Sequence, residues 1–249
     1  MIFERFEVVD SKPALYDSVS DSLILSDLHL GIEMVGVRSG VLMPKFQLDE
    51  VLEEIKEMVE DTNASRLVVV GDIKQSFSSG MDRERDEVER FLDKVSMLFE
   101  EVLLVKGNHD NALKYRVEDY RNVELSEYFL EKDVLFFHGH ERLERGEMVD
   151  FDVMVIGHEH PAITLKDEVG VKEKVACFLY GESRGRKIVA MPAFSKLAEG
   201  STVNEIPEKE LLSPVLREDV NMDGLEVLAV DREAGKFDFA TLGELRSLD

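Results

Sequence analysis

The sequence predicts an α/β fold built on two sheets, and three observations carry that prediction. Short apolar runs of four to six residues alternate with longer amphipathic ones. The short runs are nearly unbroken by polar residues, the pattern of strands buried on both faces. The alternation holds through the first half of the chain, then gives way to successive strands. Parallel strands joined by helices should therefore precede a second, more antiparallel sheet.

Leu23–Ser26 is the first strand of the series. Pro44 then precedes Phe46, Val51, Leu52, Ile55, Met58 and Val59, an apolar stripe at helical spacing, with Asp49, Glu53, Glu54, Glu57 and Glu60 on the solvated side. Leu67–Val70 follows as a strand. A second helix runs from about Asp82 to Phe99 with Val88, Phe91, Leu92, Val95, Met97 and Leu98 inward, and Val102–Val105 is the next strand. From about Glu127 the helices thin out. Tyr128–Glu131 pairs with Val134–Phe137, and Val153–Ile156, Ile163–Lys166, Val175–Leu179, Lys187–Ala190 and Leu225–Val230 complete the strands. Residues 196–223 are the least regular and read as a surface excursion. No repeat or linker divides the chain, so residues 1–249 are expected to form a single domain.

Composition narrows the function classes. The 249 residues carry 30 Lys+Arg against 53 Asp+Glu, a formal charge of −23. Such an acid excess argues against a protein that coats duplex DNA. No apolar stretch approaches a membrane span, and the first twenty residues lack a basic flank followed by an apolar core, so cytoplasmic residence is expected. A lone Cys177 excludes an internal disulfide and a thiolate-only metal cage, and its apolar strand makes it a core residue.

Every histidine lies within a few residues of a strand's C-terminal end: Asp27-Leu28-His29, Gly107-Asn108-His109-Asp110, His138-Gly139-His140 and Gly157-His158-Glu159-His160. Asp72, in Gly71-Asp72, follows another strand. The crevice beyond such ends is where α/β sheets bind ligands. Singly, each piece is ordinary: a satisfied polar residue, a turn, a helix cap. Five strand exits all bearing metal-type ligands are not. Imidazole and carboxylate without thiolate suit Mn²⁺, Fe²⁺ or Zn²⁺. Asp27, His29, Asp72, Asn108, His138, His158 and His160 are too many for one ion, and suit two ions about 3.5–4 Å apart that share a carboxylate.

These motifs, in this order, resemble the five motifs of the calcineurin-like metallophosphoesterases over roughly residues 22–200. The resemblance implies a four-layer α/β/β/α sandwich with two mixed sheets. It also implies two divalent ions, Mn²⁺ first, with Fe²⁺, Zn²⁺ or Ni²⁺ as alternatives. Asp27, His29 and His160 would hold one ion, Asn108, His138 and His158 the other, and Asp72 would bridge them. His109 would be catalytic, protonating the leaving oxygen or stabilising the transition-state charge rather than binding metal. His140 matches no family ligand and reads as a neighbour of the site or a surface residue.

Finer features are similar to the archaeal SbcD-related phosphoesterases and the bacterial DNA-ligase-associated phosphodiesterases: Ser26-Asp27-Leu28-His29-Leu30-Gly31, Gly157-His158-Glu159-His160-Pro161-Ala162 and Met191-Pro192-Ala193-Phe194. Gln75 stands where the phosphoprotein phosphatases place an aspartate that orients the catalytic histidine. Protein phosphatase activity is thereby disfavoured, and Asp110 becomes a candidate partner for His109, with helix capping as its ordinary role. The implied activity is hydrolysis of P–O bonds by a metal-bound hydroxide, in a phosphodiesterase or nuclease serving DNA repair, with single-stranded nucleic acid as a candidate substrate. A small-molecule diesterase, acting for example on cyclic nucleotides, is the alternative, and a non-catalytic scaffold a third class. Arg38, Lys45, Lys74 and the cluster Arg184, Arg186 and Lys187 are candidate phosphate contacts.

Overall fold

Period-two alternation along the first parallel strands decides which way each residue faces. Leu23, Leu25, Leu67, Val69, Val102 and Leu104 point to one side, and Ile24, Val68 and Leu103 to the other, all of them buried. The computed structural model describes residues 1–34, 46–76, 82–143, 150–166 and 169–247. Its first sheet contains β1 (Phe6–Val8), β2 (Leu15–Asp17), β3 (Ser22–Ser26), β4 (Arg66–Val70), β5 (Glu101–Val105) and β6 (Val123–Ser126), in that spatial order. β3 to β6 run parallel, whereas β1 and β2 add an antiparallel edge.

The crossovers are helical, as parallel neighbours require. α1 (Gln47–Thr62) links β3 to β4, α2 (Asp82–Leu98) links β4 to β5, and the short α3 (Lys114–Val117) precedes β6. α1 buries Val51, Ile55 and Met58, and α2 buries Val88, Phe91, Leu92 and Val95, against the first sheet. No side chain of the N-cap residue caps α1. Instead the buried Glu33 carboxylate accepts from the Phe46 and Gln47 amides at 2.8 and 2.9 Å, placing negative charge at the positive end of the helix. The stripe read from sequence errs at three places. Phe46 precedes the helix and is 60% exposed, and Met97 and Leu98 lie on the outer side of the last turn of α2.

The second sheet holds β7 (Tyr128–Glu131), β8 (Val134–Phe137), β9 (Val153–Ile156), β10 (Pro161–Lys166), β11 (Lys172–Ser183), β12 (Arg186–Ala190) and β13 (Ser201–Thr202), ordered β13-β10-β11-β12-β9-β8-β7. It is mixed and, as expected, more antiparallel than the first: β9 runs parallel to both β8 and β12, and β10 to β13, whereas β10, β11 and β12 alternate in direction and β7 runs against β8. α4 (Pro214–Asp219) is followed by β14 (Glu226–Asp231), β15 (Gly235–Thr241) and α5 (Leu242–Arg246), with β14 laid along β11.

Three apolar clusters separate four layers: helices on the first sheet, the two sheets face to face with β14 and β15 extending the second, and the segment between β12 and β14 together with α5 on that sheet's outer face. That third cluster corrects the reading of residues 196–223 as a surface excursion. Val203, Leu211, Val215, Leu216 and Met222 are buried there against Phe137, Ile156 and Leu179. The irregular backbone of the segment hid its inward face from a periodicity argument. Cys177 is fully buried, as expected. Among the described residues no helix is long and apolar enough to cross a membrane.

Candidate metal centre

Five strand ends meet at one crevice. Asp27 and His29 follow β3, Asp72 follows β4, Asn108 and His109 follow β5, His138 follows β8, and His158 and His160 follow β9. The crevice spans both sheets, so each supplies part of it. Asp27 is fully buried. Its carboxylate Oδ1 lies 3.0 Å from Nε2 of His138 and 3.2 Å from Nε2 of His160, and the two oxygens accept from the His158 amide at 3.3 and 3.1 Å. Asp72 Oδ2 lies 3.7 Å from Nε2 of both His138 and His109, and 3.9 Å from Nε2 of His29.

Three groups bring possible ligand atoms within 4.8 Å of one another: Asp27 with His29 and His160, Asp72 with His138 and His158, and His29 with Asp72 and His109. Asn108 lies beside them with its buried Oδ1 unpartnered, and Nδ1 of His29 is likewise buried without a partner. Nε2 of His29 faces Nε2 of His160 at 3.3 Å. Donor atoms turned toward one another around two buried carboxylates fit divalent cations, which accept lone pairs from all of them.

The charge balance points the same way. Burial drives the Asp72 carboxyl up to about 6, with the Asp27 charge adding to the effect. Burial pushes His29 down to about 4, and burial with the neighbouring His138 pushes His158 down to about 3. Against the cost of burial, His160 and His138 hold Asp27 well below the usual carboxylate range. In turn the Asp27 carboxylate, acting against burial, raises His138 and His160, so carboxylate and imidazole charge are tightly paired here; neutral imidazole with ionised carboxylate is the form that ligates metal.

The backbone is bent to achieve this. Asp27, His29, Asp72, His158 and His160 all have positive φ, between 44° and 67°. Each costs of order 1 kcal/mol or more in a non-glycine residue, a strain that concentrates at functional sites. Glycines beside them supply space. A Cβ on Gly71 would lie 2.1 Å from the His138 ring, one on Gly107 2.1 Å from Asp72 Oδ1, and one on Gly157 2.5 Å from Asp27 Oδ2. Each motif glycine thus makes room for a ligand belonging to a different motif.

His109 has a partner that sequence reasoning missed. Its Nδ1 meets the backbone carbonyl of Gln75, so the chain direction after Asp72, not a carboxylate, sets the ring. Asp110 does something else. Its buried carboxylate accepts from the Gly107 amide at 2.9 Å, from Ile73 at 3.1 and 3.3 Å and from Lys74 at 3.3 Å, stapling two motif loops together. Burial and the nearby Asp72 raise its pKa to about 6. His140 lies against the site, its Nδ1 3.0 Å from Nδ1 of His138.

The candidate phosphate contacts fare differently. Lys74 is buried and its ammonium donates to the Ser76 carbonyl of its own loop. Arg38 and Lys45 lie outside the described residues. Arg186 and Lys187 begin β12, at the end of the strand away from the site, where they cover the Phe151 and Phe3 rings, while Arg184 pairs with Asp219.

The family model of the calcineurin-like phosphoesterases matches residues 22–167, a span containing all seven candidate ligands. Among solved structures, that of Pseudomonas putida nuclease MPE is similar with a TM-score of 0.63 at 15% identity, covering 94% of this chain and 94% of that one. YfcE, a phosphoesterase from E. coli, aligns at 16% identity with a TM-score of 0.40, over 72% of this chain and 83% of that one. No curated protein matches the chain. The likeness to the first structure is one of fold, and the family match spans more than half of the chain. With both sheets of that fold present and its motif residues gathered at one crevice, the chain belongs to the calcineurin-like phosphoesterase family.

Proposed function

We propose that the protein is a dinuclear-metal-dependent phosphodiesterase acting on flexible, single-stranded nucleic acid, with a place in DNA repair. The observation that carries this reading is the meeting of Asp27, His29, Asp72, His138, His158 and His160 at one crevice, with the buried, unpartnered Oδ1 of Asn108 next in sequence to His109. Asp27, His29 and His160 would hold one ion, His138, His158 and Asn108 the second, with Asp72 between them. Two divalent ions, Mn²⁺ foremost, would supply Lewis acidity and neutralise phosphoryl charge. His109 keeps Nδ1 on the Gln75 carbonyl, so Nε2, 3.7 Å from Asp72 Oδ2, is the atom that holds or moves a proton at the leaving oxygen.

Two cavities flank the centre and support an extended substrate. One, of about 410 Å³, is lined by Asn108 and His140 with Lys106 and Arg142. The other, of about 480 Å³, opens beside His160 with Lys174, Lys196 and Arg232 on its walls. Lys106 and Arg142 pair with Glu127 and Asp219, and Lys196 and Arg232 with Glu54, so flanking phosphates would engage these cations by displacing carboxylates. The nuclease activity of the Pseudomonas putida protein and the motif resemblance to SbcD-related enzymes support the same reading. The single buried cysteine is in keeping with the cytoplasm, where we place the protein.

Assay of aryl diesters, cyclic nucleotides and oligonucleotides with Mn²⁺ tests the proposal. Single-stranded DNA should be cleaved, with a rate that falls as salt rises. Activity confined to compact diesters would establish the small-molecule reading instead. Asp72→Asn should lose most activity and retain metal poorly, and wild-type turnover in that variant would refute the bridge. His109→Ala should keep both ions and lose turnover; loss of an ion would make His109 a ligand, as its nearness to His29 and Asp72 permits.

A further inference from the structure

Ser213 lies beyond the residues matched by the family model, in the irregular segment that covers the second sheet. It is fully buried, and both of the hydrogen bonds that it donates go to loops carrying candidate ligands, while its carbonyl accepts from the Arg217 amide at 3.0 Å. Its Oγ donates to the Gly139 carbonyl at 2.8 Å, between His138 and His140. Its amide donates to Glu159 Oε2 at 2.8 Å, between His158 and His160. Glu159 is itself fully buried.

Helix capping alone does not account for this. Ser213 is the N-cap of α4, but the Leu216 amide reaches its Oγ only at 3.4 Å. Of the two bonds made by the hydroxyl, the shorter is the one to the site. The loops they reach hold His158 and His160 in left-handed backbone, and Gly139 has a φ of +94°. Backbone of that kind keeps its shape only when surrounding bonds over-determine it.

We infer that Ser213 is a positioning residue for the candidate metal centre, fixing the His138 loop through Gly139 and the His158–His160 loop through Glu159. The inference rests on the proposal that these histidines hold metal. Its two arms have different reach. The hydroxyl serves the His138 side, whereas Glu159 serves both His158 and His160. Outer partners of metal ligands change metal affinity by about 10–100-fold.

Calorimetric titration of the metal-free full chain with Mn²⁺ tests it. Ser213→Ala should weaken one ion, that held by Asp72, His138 and His158, by about tenfold and leave the other within twofold. Glu159→Ala should weaken both, and Glu159→Gln, which keeps an acceptor oxygen, should restore wild-type affinities. Val215→Ala, a buried truncation in the same helix, should lower thermal stability without moving either affinity. Should Ser213→Ala fail to fold, the two Glu159 variants carry the test. Unchanged affinities in Ser213→Ala, or equal losses in Val215→Ala, would overturn the inference while the metal reading stands. A wild type that takes up no Mn²⁺ would overturn the metal reading and the inference with it.

Discussion

A methyl group added to Gly107 would lie 2.1 Å from Oδ1 and 2.3 Å from the amide nitrogen of Asp72. Gly107 lies outside the left-handed region, so Gly107→Ala is a steric probe and carries no penalty for φ. Asp72 would have to shift by about an ångström, a displacement that costs on the order of 100-fold in rate at a reacting centre. We expect Gly107→Ala to fold and to lose about that much of kcat/KM. Gly185→Ala is the control. Gly185 has open space around it and a φ of +79°, so alanine there should cost roughly 1 kcal/mol in stability and leave the rate unchanged. Equal rates in the two variants would show that the Gly107–Asp72 contact has no part in catalysis.

At the scale of elements, the antiparallel margin formed by β1 and β2 depends on one ion pair between the half-buried Arg5 and the buried Asp17. Arg5 grips Asp17 with Nε at 2.9 Å and Nη2 at 2.8 Å, Ser20 adds a hydroxyl at 2.6 Å, and Arg5 also reaches Asp133 from the second sheet. Burial alone would raise the Asp17 pKa, but these bonds hold it below its ordinary value. The stabilisation is therefore complete above the unfolded value of about 3.9 and is lost as pH falls through the depressed folded one. Asp17→Asn should cost about 3 kcal/mol at neutral pH. The gap from wild type should close toward pH 2, measured as urea midpoints across a pH series. A gap constant with pH would mean that the charge of Asp17 is not what stabilises the edge.

Elements were legible in proportion to their burial. β3, β4, β5, β8 and β9 are apolar almost throughout, and their limits agree with the predicted runs to within one residue. β1, β6 and β15 mix polar with apolar residues because they lie at edges, and β2, between β1 and β3, is only three residues long, so no run betrays them. The candidate site was legible because each of its residues directly follows a strand. Its supports were not. Gln75 acts through a carbonyl that every residue possesses, the role of Asp110 depends on a turn between two loops, and Ser213 is 54 residues from Glu159.

For the whole molecule, a charge of −23 is a force that the fold must withstand. Self-repulsion of that size opposes the compact state and is screened over about 10 Å at 0.1 M salt. The melting temperature of the wild type should rise as NaCl increases from about 10 to 150 mM. A fall would indicate that attractive pairs such as Arg232 with Glu54, at 3.0 Å, outweigh the general repulsion. The same field repels an anionic substrate at long range, so local cations must prevail near the crevice. Opposite responses to salt, stability rising while oligonucleotide cleavage falls, would separate the global field from the local one.

The placement of His29 and His160 on different sheets bears on the order of folding. The two imidazoles face each other across 131 residues of sequence, and Ser26 reaches Pro192 across 166. Contacts of such sequence separation form late, because closing the intervening loop must precede any gain from the contact. β3 to β6 can assemble from neighbouring segments while the crevice is still half built. The ligand-bearing crevice is thus a product of the last docking event, and a chain arrested before that event would keep a well-formed first sheet with no competence at the centre.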